Sequence, residues 1–189
     1  MNLVEFLDSR NLLMFSCESI ESLYGENFVR KLLERAVATN VRITTRSVRY
    51  LGQVRHSIKK STGEVTWMEM VFSDSLFILD ESEIRDTILH ELAHVVDIIV
   101  RGETNHDPFW QTIAKTLGAR PKANASGLPE EHMEYGAKYI WECKSVCGYK
   151  TYLYRKKKHP IDSYRCPRCK SDLIDTTKET KKKIAAKYS

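Results

Sequence analysis

The sequence predicts an α+β fold in which a mixed helix-and-sheet body is followed by a small module held by metal rather than by a core. Three observations carry this. Segments of helical periodicity flank a block rich in β-branched and aromatic residues, an apolar helix carries "HELAH" at residues 90–94, and four of the five cysteines form two close pairs near the C-terminus. At 189 residues the chain is long enough for one substantial core and a small appendage, not for two large domains.

In chain order, residues from about Ser19 to Thr39 set Leu23, Phe28, Leu32, Leu33 and Ala36 near helical spacing and predict one amphipathic helix. The stretches "VRITTRSVRYLGQVRHSIKK" (41–60) and "EVTWMEMVFS" (64–73) favour strands. The "STGE" between them is a turn signal, and the second strand leads on toward "DSLFILD" (74–80). Asp80 with Glu83 three residues later has the form of a capping box, and Gly102 supplies a stop, so one helix should run from about Glu81 to Arg101. Asp107 before Pro108 reads as N-cap and first position of a further helix that Gly118 would end, with Trp110, Ile113, Ala114 and Leu117 on its buried face. "GARPKANASGLPEE" (118–131) lacks periodicity and reads as a linker, and "KETKKKIAAKYS" (178–189) as a low-complexity basic end.

The helix over 81–101 is apolar nearly all round. Ile84, Ile88, Leu92, Val95 and Ile99 centre on one side, and Leu89, Val96 and Val100 extend the apolar surface. His90 and His94 interrupt it, about 40 degrees apart on successive turns. Burying imidazole and carboxylate costs several kcal/mol unless each finds a partner. A Zn2+ ion repays that cost, because two imidazoles one turn apart can share one ion, while Glu91 faces the open coordination position as general base. A catalytic zinc needs a third protein ligand, and His106 is the best candidate because the helix stops at Gly102 and "ETNHD" can turn back. Glu103 is the competitor. Asp97 could orient His94, although pairing with Arg101 at i+4 fits at least as well.

Cys143 and Cys147 are separated from Cys166 and Cys169 by 18 residues, close to zinc-ribbon spacing, so the four predict a second, structural Zn2+. The first pair is CxxxC rather than CxxC, and Lys170 stands where ribbons commonly have Gly. His159 could replace one cysteine, but its neighbour Pro160 favours a plain turn. "YKTYLYRKK" (149–157) and "DSYR" (162–165) read as a hairpin around "KHPI". Cys17 stands apart and reads as a small buried hydrophobe.

The net charge of +5 divides into +10 from Tyr135 onward and −5 before it. A basic C-terminal third suggests a polyanion partner. Arg155, Lys156, Lys157, Lys158, Arg165 and Arg168 are interleaved with Tyr149, Tyr152, Tyr154 and Tyr164, a mixture suited to phosphates and unpaired bases of single-stranded or distorted DNA. No base-reading motif is visible, so binding should depend on backbone and structure.

The order "LHELAHVVDIIVRGETNHDPFW", a linker, "YIWECKSVC" and "YRCPRCKSDL" resembles the SprT-like family, to which the Spartan DNA-protein crosslink proteases belong, over roughly Asn27 to Leu173. The resemblance implies a zincin-like metalloprotease domain followed by a small C-terminal zinc ribbon. It implies His90, His94 and His106 as ligands of the catalytic zinc, Glu91 as catalytic base, and DNA-stimulated proteolysis of proteins attached to DNA. The expected organisation is 1–134 for the protease domain with linker, 135–175 for the ribbon and 176–189 for a basic tail. Clamp-binding and ubiquitin-binding tails of larger family members are not evident.

No apolar run approaches the length that spans a bilayer, and the acid-bearing N-terminus does not read as a signal peptide. With the paired cysteines, this places the protein inside the cell, cytoplasmic or nucleoid-associated, or nuclear in a eukaryote, with DNA and DNA-bound protein substrates as partners. "EVTWMEMVF" is the strand expected to pair with an extended substrate. The rival reading is a non-catalytic, zinc-containing DNA-binding module, which a site closed by a fourth protein ligand would favour. A third reading keeps the metal hydrolase and gives the ribbon a protein partner.

Overall fold

Local chemistry sets the elements, and the computed structural model describes residues 1–45, 50–121 and 128–187. They divide into two compact units, whose described parts are residues 1–44 and 50–121, and residues 45 and 128–187. The division falls before Leu128, inside the segment 118–131 read as the linker.

The first unit begins with α1 (Leu3–Ser9), closed at its start by a reciprocal capping box between Asn2 and Glu5. The single helix expected over 19–39 is two, α2 (Leu13–Tyr24) and α3 (Glu26–Ala38). Gly25 separates them: its φ of +79° is a conformation L side chains rarely adopt, while its N–H still bonds the Glu21 carbonyl at 2.8 Å. Strands β1 (Asn40–Thr44), β2 (Gly52–Lys59) and β3 (Glu64–Ser73) follow; positions 46–49 of the expected strand segment lie outside the described residues. Their order is β1-β3-β2, with β1 parallel and β2 antiparallel to β3. β3 is therefore the middle strand, with both edges already paired, and cannot receive a substrate strand as expected. Residues Asp74–Ile78, toward which β3 leads, form a 3-10 turn.

Helix α4 (Glu81–Arg101) has the predicted bounds. Asp80 caps it by accepting from the Glu83 N–H at 3.0 Å. The return bond of a capping box is not made: the Glu83 carboxylate binds Arg120 at 2.7 Å. Gly102 ends the helix at φ 78°. α5 (Pro108–Thr116) starts at its N-cap Asp107, with Pro108 at the first position.

α4 packs against β2, β3 and α5, and its Ile88, Leu89, Leu92, Val95, Val96 and Ile98 lie in one core with Met70, Phe72, Trp110 and Ile113. Fully burying each such side chain stabilises by roughly 1.5–3 kcal/mol. That gain lets the helix carry three polar groups, Glu91, His94 and Asp97, into the interior.

The second unit opens with α6 (Glu130–Gly136), whose start lies inside the segment read as linker; positions 122–127 of that segment lie outside the described residues. β4 (Tyr139–Cys143), β5 (Lys150–Leu153) and β6 (Leu173–Asp175) form an antiparallel sheet in the order β5-β4-β6. The expected hairpin between 149–157 and 162–165 is not formed. β5 pairs with β4, residues Ile161–Ser163 after Pro160 make a 3-10 turn, and Arg165 bridges Asp172. The basic end is not a tail but helix α7 (Thr177–Lys187), positions 188–189 lying outside the described residues. Asp175 accepts from the Thr177 N–H at 2.9 Å, and the Thr177 hydroxyl accepts from the Ile140 N–H at 2.8 Å, so the helix start is tied to β4. No helix among the described residues is long and apolar enough to cross a membrane.

Candidate metal centre

The i, i+4 spacing on α4 sets His90 and His94 side by side, and the loop between α4 and α5 returns His106 to them. His106 Nε2 lies 3.1 Å from the Nε2 atoms of both His90 and His94. Nitrogens around a tetrahedral zinc at about 2.0–2.1 Å stand about 3.3 Å apart, so the spacing suits one ion. The protonation states agree. Burial and the charge of His106 push His90 down to about 4, burial and the two other histidines push His94 down to about 3, and burial lowers His106 as well. Three neutral imidazoles aiming Nε2 atoms at one point cannot all donate and accept among themselves, whereas a cation accepts every lone pair.

Thr104 Oγ1 lies 2.6 Å from His94 Nδ1. With Nδ1–H donating to that hydroxyl, the Nε2 lone pair is left for the metal. Asp97, a candidate for that role, instead takes a bidentate pair from Arg101, at 2.6 and 2.8 Å. Glu103 is exposed and lies outside the histidine cluster. The Trp110 ring is fully buried against all three imidazoles, with centroids 4.7, 5.0 and 4.5 Å from His90, His94 and His106.

Glu91 follows His90 on α4 and is buried, 6% exposed. Burial pushes its carboxyl up to about 8, opposed by the Val54 backbone amide that donates to it. Gly52 of β2 leaves the space: a Cβ there would lie 2.6 Å from Glu91 Cγ.

In the second unit Cys143, Cys147, Cys166 and Cys169 bring their sulfurs within 4.8 Å of one another, without His159. Cys143 and Cys169 sulfurs are 3.4 Å apart, and Cys147 and Cys166 sulfurs 3.5 Å. Four thiolates at about 2.3 Å from one zinc make a closed structural site, and this cluster is compatible with a zinc ribbon. The longer CxxxC loop has a use: the Ser145 hydroxyl lies 3.1 Å from the Cys143 sulfur and 3.0 Å from that of Cys169. Hydrogen bonds from Ser145 and then Ser171 pull the Cys169 thiol down to about 5. Cys17 is a half-buried free thiol packed against the first unit's core.

Against known families, residues 19–130 match the SprT-like family, more than half of the chain. The chain belongs to the SprT-like family. No match was found among curated proteins. The matched segment of this SprT-like chain contains the whole histidine cluster with Glu91 and Gly52, and it ends before the first cysteine pair.

Of the basic residues singled out in this SprT-like chain, Arg155, Lys156, Lys157 and Lys158 are exposed on the stretch after β5. The three lysines line a cleft of about 360 Å³ with Tyr139, Trp141 and His159. Arg165 and Arg168 are exposed but engaged internally. Arg165 donates to the Asp162 carbonyl at 2.9 Å and pairs with Asp172, and Arg168 reaches the Cys147 carbonyl at 3.4 Å. Gly52, Thr104 and the Val54 amide were not foreseen as site groups. A glycine inside a strand pattern, which marks close backbone approach, was the one available signal.

Proposed function

We propose that this chain is a zinc-dependent protease of the Spartan kind, with a zincin-like fold, that cleaves proteins bound or crosslinked to DNA and is stimulated by DNA. The observation that carries this is the meeting of the three imidazole nitrogens, two of them on the helix that also carries the buried Glu91 next to His90. His90, His94 and His106 would hold the ion, which when bound supplies a Lewis acid that polarises a peptide carbonyl and makes water a better nucleophile. Glu91 takes a proton from the attacking water as its oxygen bonds to the carbonyl carbon, and returns it to the amide nitrogen as the C–N bond breaks.

The edge strand β2 is the better place for an extended substrate. It pairs only with β3 among the described residues, and its Gly52 and Val54 touch Glu91. A polypeptide added to its free edge would be held through backbone hydrogen bonds, so cleavage should show loose sequence preference. The exposed Arg155 and Lys156–Lys158, beside the ring-lined cleft, are the groups expected to bind phosphates and an unpaired base. The four cysteines would hold a second, structural zinc.

The deciding experiment incubates zinc-loaded protein with a DNA-binding protein substrate, with single-stranded DNA, duplex DNA or neither, beside Glu91→Gln. Cleavage that needs DNA and vanishes in the variant is the expected result. Cleavage independent of DNA would keep the protease and remove its switch. DNA binding without cleavage would leave a non-catalytic module.

A further inference from the structure

The loop that presents the third histidine is short, and both of its ends are held by one side chain. Arg101, the last residue of α4, forms a bidentate pair with Asp97, which is fully buried one turn earlier. The same guanidinium reaches forward to Asp107 through Nη1 at 2.8 Å and Nη2 at 3.3 Å. Asp107 is at the same time the N-cap of α5, accepting from the Trp110 N–H at 3.0 Å. Between these anchors lie Thr104, against His94 Nδ1, and His106, whose carbonyl accepts from Gln111 Nε2 at 3.1 Å. The guanidinium also lies 4.4 Å from the centroid of the Phe109 ring. A planar cation with several donors can serve two carboxylates at once, which an ammonium cannot do in this geometry.

We infer that Arg101 is a positioning residue for the metal centre: by joining Asp97 on α4 to Asp107 at the start of α5, it closes the loop that carries Thr104 and His106 and presets the third ligand. This rests on the reading of the three histidines as a metal site. A ligand on an unpinned loop loses its freedom when the ion binds, and that cost lowers affinity. Arg101 places the loss in folding instead. Among the described residues the clamp's hydrogen bonds run to Asp97, Asp107 and the Trp110 N–H, so it acts on the ligand's position.

Metal affinity measured on the full chain, by competition with a chromophoric zinc chelator, tests this, with thermal melting of the metal-free form alongside. The binding class that disappears in His90→Ala/His94→Ala is assigned to the histidine centre, the cysteine centre serving as internal reference. Arg101→Gln alone leaves Asp97 buried without its cation, a loss that would hide any effect on metal, so Asp97→Asn/Arg101→Gln, which keeps the pair neutral, decides. The double variant is expected to melt as a cooperative fold and to bind zinc at the histidine centre about 10- to 100-fold more weakly, as loss of groups behind metal ligands does. Arg101→Lys should recover less than half of that loss on a logarithmic scale, with the cysteine centre unchanged. Unaltered affinity in the double variant, or full recovery with lysine, overturns the clamp alone. Absence in the unsubstituted chain of any class that the histidine variant removes overturns the metal reading, and the clamp with it.

Discussion

Gly52 and Glu91 come from different elements and occupy almost the same space: a methyl group on Gly52 would sit 2.6 Å from Glu91 Cγ and 2.9 Å from Oε1. No backbone torsion demands glycine here, so its use is the room it leaves for the carboxylate. Gly52→Ala should push Glu91 aside while the three histidines keep their places. Expected are kcat lower by roughly 10- to 100-fold, zinc affinity within about twofold, and stability lower by about 1–3 kcal/mol. Single-turnover cleavage and zinc competition separate the two effects. Equal loss of both would mean that Gly52 serves only packing.

The metal-free chain should carry a pH signature of the same carboxylate. Glu91 is raised to about 8 in the fold, against about 4.3 in an unfolded chain. The unfolded state therefore releases this proton first, and folding loses stability as pH rises from about 4.3 through about 8. Glu91→Gln removes that loss and keeps an acceptor for the Val54 amide. The variant should match the parent near pH 4.5, exceed it increasingly up to about pH 8, and hold a constant advantage above that. Urea melts of both chains without metal across this range check it, and parallel curves would contradict the burial argument.

The parts of this site that were legible in the sequence are those fixed by local geometry. HELAH sets two imidazoles on one face through helix pitch, and Asp80, Gly102, Asp107 and Pro108 mark helix ends through single-residue chemistry. His106 followed from the stop at Gly102. Val54 and Thr104 were not legible, and Gly52 only as a glycine inside a strand pattern, because their roles depend on which strand or loop packs against α4, and neighbouring residues do not encode that. The middle position of β3 was not legible either: residues Met68 to Ser73 are all buried, yet Glu69 and Ser73 break the apolar run that would have marked such a strand. The α7 helix was hidden because lysines dominate its composition, and its start is fixed by bonds to Asp175 and Ile140.

Lys170 is the residue least suited to its place in the cysteine module. It follows Cys169 with φ at +65°, as Gly148 follows Cys147 with φ at +66°. A non-glycine side chain in that region costs about 1–2 kcal/mol, part of which glycine gives back in unfolded-state entropy. Lys170→Gly should therefore stabilise the cysteine centre by about 0.5–1 kcal/mol, read as slower zinc release to a chelator from that site. Faster release would show that the lysine side chain holds something the strain offsets.

The basic surface yields the last test, and it separates residues that look alike in the sequence. Lys156, Lys157 and Lys158 are exposed around a cleft with Tyr139 and Trp141, whereas Arg165 and Arg168 are bonded to Asp172 and to backbone carbonyls. Counterion release ties each phosphate contact on a single strand to a slope of about 0.7 in log affinity against log salt. Replacing the three lysines by alanine should lower that slope by up to roughly 2 and weaken binding at low salt, whatever the base sequence. Arg165→Ala/Arg168→Ala should lower it by less than about 0.7, because those guanidiniums are already engaged. Anisotropy titrations of a labelled oligonucleotide between 50 and 200 mM salt measure both, and an unchanged slope in the lysine variant would remove DNA from this surface.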